Sequence, residues 1–101
     1  MTNAAAVWQE LDTALGRLAV IETEVGMTFA LAAVHAESTQ DCLHNRKLAR
    51  RAYDTAQRWM DRGKLDEREL KLLHSKLRML GSVLRQLGDP ALSAQSVARH
   101  S

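Results

Sequence analysis

Residues 70–88, LKLLHSKLRMLGSVLRQLG, place leucine at 70, 73, 77, 80, 84 and 87. These steps of three and four draw one apolar line along a helix. The flanks fit that reading. Upstream, Asp66 is set to cap the helix N-terminus, with Glu69 three residues on as its reciprocal partner and Leu65 placed to staple onto Leu70. Downstream, Gly88 terminates the helix and Pro90 blocks its continuation. The pattern predicts a helix over 66–87. Asp89 and Pro90 are also suited to open a short C-terminal helix within the tail 89–101.

Working outward, Trp8, Leu11, Leu15, Leu18, Ile21, Val25, Phe29, Ala32 and Ala36 keep the same helical steps. They predict a long first helix over 4–37, with a kink or break at Gly16 or Gly26 as the alternative. Val20, Met27, Leu31 and Val34 add an adjoining apolar face, so this helix is expected to pack on two sides. Ser38 with Asp41 reads as a capping pair. It opens a second helix over about 40–62, whose inward stripe is Cys42, Ala49, Ala52, Tyr53, Ala56, Trp59 and Met60. Gly63 stands where a left-handed residue would end that helix.

One proline, five glycines and four aromatic residues in 101 positions argue against a turn-rich β fold. The expected architecture is all-α: an antiparallel three-helix bundle spanning residues 1–88, with 89–101 as a tail or short helix. A lone Cys42 permits no internal disulfide, and no apolar run approaches the roughly 20 residues of a membrane span. These features point to a cytoplasmic protein that makes no use of the membrane. The net charge of +2 conceals an uneven layout: residues 1–41 sum to −5 and residues 42–101 to +7.

A first helix of about 50 Å beside two of about 33 Å leaves an overhang before residue 16. Trp8, Leu11 and Leu15 are therefore the expected partner interface, with Leu72, Met79 and Val83 as a second apolar stripe behind the leucine seam. An exposed apolar strip of this kind calls for a partner helix or a second copy. The expected function is protein–protein association, as an adaptor, chaperone-like or assembly module that self-associates, with a homodimer as the simplest form.

Catalytic chemistry finds no foothold. His35, His44, His74 and His100 include no pair four residues apart, and Cys42 and His44 point different ways on a helix. No nucleophile elbow or phosphate-binding glycine loop is present. The expectation is no catalytic, cofactor-binding or metal-binding residue. The alternative function is a nucleic-acid-binding accessory protein that uses Arg46, Lys47, Arg50 and Arg51 of HNRKLARR, since clustered cations meet phosphates.

Overall fold

The computed structural model describes residues 4–92. It is an all-α bundle of three antiparallel helices: α1 (Ala4–Val34), α2 (Thr39–Arg62) and α3 (Glu67–Gln86). The chain is helical again at 90–92, and the remaining tail, 93–101, lies outside the described residues.

The caps follow the sequence. Ser38 Oγ accepts from the Asp41 amide at 3.1 Å, and Asp66 Oδ1 accepts from the Glu69 amide at 2.8 Å. Each satisfies one of the amides that a helix start leaves without a partner. At the end of α3, Gly88 takes a φ of 81° and the Asp89 amide reaches back to the Leu84 carbonyl at 3.0 Å, the closure expected of a glycine-terminated helix.

α1 differs from the sequence expectation in one decisive respect. The helix runs unbroken through Gly16 and Gly26, but its buried residues are Gly16, Ala19, Thr23, Gly26, Ala30 and Ala33. Most of its large stripe faces out: Leu18, Ile21 and Val25 are exposed, while Leu15 and Phe29 are half-buried at its edge. The reason is distance of approach. α2 buries only Ala49, Ala52 and Ala56, and two small-residue faces let the helix backbones come close together, which large side chains would prevent. A Cβ added to Gly26 would lie 2.8 Å from Leu80 Cδ2 and 3.0 Å from Ala52 Cβ.

α3 supplies the bulk that α1 and α2 lack. Leu73, Leu77, Leu80 and Leu84 are buried along its length, with Leu70 and Leu87 half-buried at the ends, so the leucine seam is core. Leu80 and Leu84 join Ala30, Ala49 and Leu92 in one cluster; Leu73 and Leu77 join Ala19 and Ala56 in another. Tyr53 packs against both.

The turn after α2 is pinned to α1. The Lys64 amide donates to the Asp12 carbonyl at 3.0 Å, and Leu65 lies over Gly16. Gly63 is not left-handed, having a φ of −83°. Glycine is needed there because a Cβ would lie 2.7 Å from the Gly16 nitrogen.

Candidate functional site

The α2–α3 turn crosses α1 at Asp12 and Gly16, and every residue from Ala4 to Leu11 is exposed. The overhang expected from the helix lengths is therefore present as continuous helix. Trp8 is 64% exposed, an unusual state for tryptophan. Leu11 is also exposed, while Leu15 is half-buried.

This overhang is one end of a longer feature. At 100° per residue, Val7, Leu11, Ala14, Leu18, Ile21 and Val25 fall on one face of α1, and all six are exposed. The strip carries on the order of 500 Å² of apolar surface, at the upper end of the roughly 300–600 Å² that the largest patch on a soluble monomer covers. Its borders differ. Glu10, Arg17 and Glu24 line one side, exposed; Leu15, Glu22 and Phe29 line the side next to α2, half-buried.

The second expected stripe is divided by the fold. Leu72 and Met79 are exposed, whereas Val83 packs half-buried against the cluster of Ala30 and Leu92. Met79 instead shares a shallow groove between α1 and α3 with Met27 and Leu31. The Lys76–Glu24 ion pair, at 2.8 Å, stands beside it.

The basic cluster is divided as well. Arg46 Nη1 donates to the Leu87 and Gly88 carbonyls at 3.1 and 3.4 Å, closing the C-terminus of α3. Arg50 donates to Asp54 Oδ1 at 3.0 Å and to Asp89 Oδ1 at 2.7 Å. Burial opposes its charge, but the hydrogen bonds and charges of Asp54 and Asp89 outweigh that effect and raise its pKa. Lys47 and Arg51 are exposed and make no hydrogen bond or ion pair among the described residues.

The sequence marked Asp89 as the cap of a short helix, which its bond from the Leu92 amide bears out, but not as the partner of Arg50. Its carboxylate, 5% exposed, both receives Arg50 and accepts from the Leu92 amide at 3.2 Å. The short-helix signal Asp-Pro was its trace in the sequence.

Among the described residues no group of three or more His, Cys, Asp or Glu side chains is placed to hold a metal ion. No helix among them is long and apolar enough to cross a membrane. Compared with protein-family models, curated proteins and solved structures, the chain matches none.

Proposed function

We propose that this protein acts by protein–protein association, as a non-enzymatic assembly module, and that the outer face of α1 is its interface with a second copy of itself. The observation that carries the reading is the inverted helix. α1 turns small residues inward and leaves Val7, Trp8, Leu11, Leu18, Ile21 and Val25 exposed. Solvent-facing residues of an ordinary bundle helix are polar, so an apolar strip retained there is explained by an occupant.

Area favours a second copy. Two such strips facing each other remove roughly 1,000 Å² before their borders are counted, about where specific interfaces begin. The nucleic-acid alternative rests on less, since Arg46 and Arg50 are engaged in the fold.

The test is the mass in solution of the wild type and of the double variant Trp8→Ala, Leu11→Ala. The expected result is a wild-type dimer, and a monomeric variant of nearly unchanged helicity. A wild type that stays monomeric at high concentration overturns the reading.

A further inference from the structure

Resting on that reading, we infer that the two copies pair with their α1 helices antiparallel, and that Trp8 of each seats in the cleft at the α1–α2 turn of the other. The two ends of the strip are unlike. One end is a projection: residues 4–11, with Trp8 standing on the border that α2 covers further along but does not reach here. The other end is a shallow recess between the end of α1, the start of α2 and the end of α3, where Ala33, Ala36, Cys42, Leu43 and Leu87 form an apolar floor and Glu37, Arg46 and Gln86 a polar rim. Leu43 is 40% exposed there, so the indole would meet an apolar contact inside a polar rim, as suits a side chain that carries one N–H donor.

A projection and a recess at opposite ends of one strip can both be satisfied by a twofold axis near the middle of α1. A parallel pair would set projection beside projection and leave both recesses open. With the axis near Ala19, Trp8 lies opposite about residue 30 of the second copy. Helical side chains lean towards their own N-terminus, which carries the indole towards Ala33 and Ala36. Antiparallel pairing also brings like borders together. Arg17 then comes within about one helical turn of Glu24 of the second copy, at two symmetric places. Glu24 already holds Lys76 through Oε1, leaving Oε2 to accept the arginine.

The native Cys42 makes the arrangement testable, because it lines the recess. Trp8→Cys should form an intermolecular disulfide from position 8 to Cys42 under mild oxidation, giving the covalent dimer as the dominant species on a non-reducing gel. The linked peptides are identified by mass. Ala4→Cys provides the same test with the indole retained, in case Trp8→Cys weakens association. A dimer linked 4 to 4 or 8 to 8, or one linking neither position to Cys42, overturns the antiparallel arrangement and leaves self-association standing. A monomeric wild type in the same buffer removes both.

Discussion

Arg50 Nη1 lies 2.7 Å from Asp89 Oδ1, tying α2 to the segment that follows α3. The carboxylate is nearly sealed from solvent and also caps the turn that buries Leu92. Asp89→Ala removes a charge-assisted bond and a helix cap together and should destabilise the protein by about 2–3 kcal/mol. Asp89→Asn keeps an acceptor for the Leu92 amide and should lose less. Denaturant midpoints of the two variants check the order.

The inverted α1 makes opposite forecasts for its two faces. Ile21→Ser, on the exposed face, should change the stability of the isolated protomer by no more than about 0.5 kcal/mol. Ala30→Leu, on a residue fully buried against Ala49 and Leu80, should destabilise by about 1–3 kcal/mol through overpacking. Thermal unfolding at dilution low enough to keep the chains apart measures both. A larger loss from Ile21→Ser than from Ala30→Leu would mean that the large stripe is the core.

That reversal marks the limit of what the sequence made legible. Helix existence, caps and order were readable because Ser38, Asp66 and Gly88 act through local backbone geometry, and the α3 leucines are core because no other residues supply enough bulk. Which face of α1 points inward is a non-local matter: it depends on α2 presenting Ala49, Ala52 and Ala56. Ranking faces by hydrophobicity favours large residues and so selected the outer strip. The usable signal was the run Gly16, Ala19, Thr23, Gly26, Ala30 and Ala33, whose spacing matches a facing alanine row. The overhang at Trp8 was legible because it follows from helix lengths alone. The roles of Arg46 and Arg50 were not, because their partners lie about forty residues away.

Glycine-to-alanine changes should separate close approach from mere helix position. In a helix interior this change ordinarily stabilises by about 1 kcal/mol. At Gly81 the nearest side-chain atom to an added Cβ is Tyr53 Cε2 at 3.4 Å, so Gly81→Ala should retain most of that gain. At Gly26 the added carbon meets Leu80 and Ala52 at 3.0 Å or less, and Gly26→Ala should destabilise by about 1–3 kcal/mol despite its better helix propensity. Opposite signs in the two unfolding midpoints are the expected outcome.

Arg46 and Lys47 are neighbours with different work. Arg46 reaches the last carbonyls of α3, while Lys47 extends into solvent. Arg46→Ala should destabilise by about 1 kcal/mol, and Lys47→Ala should stay within about 0.5 kcal/mol. If the basic face meets phosphates, Lys47→Ala together with Arg51→Ala should instead lower retention of a short DNA duplex at low salt and flatten its salt dependence. Fluorescence polarisation of labelled duplex reads this. No binding at low salt by the wild type eliminates the nucleic-acid function.

Acid should weaken the α2–α3 junction through Asp66. The Glu69 amide that donates to its carboxylate holds Asp66 below its ordinary range, with the Arg68 amide and charge assisting. A group whose folded pKa is depressed contributes stability that is fully present above its unfolded pKa and is lost as pH falls through the folded value. The contribution of Asp66 should therefore be constant at neutral pH and disappear only below the ordinary aspartate range. Asp66→Asn, which keeps an amide oxygen for the cap but cannot titrate, should flatten the stability–pH curve in that acid window. Urea midpoints of both proteins between neutral and strongly acidic pH measure the effect; parallel curves throughout would show that the cap carries no charge-dependent stabilisation.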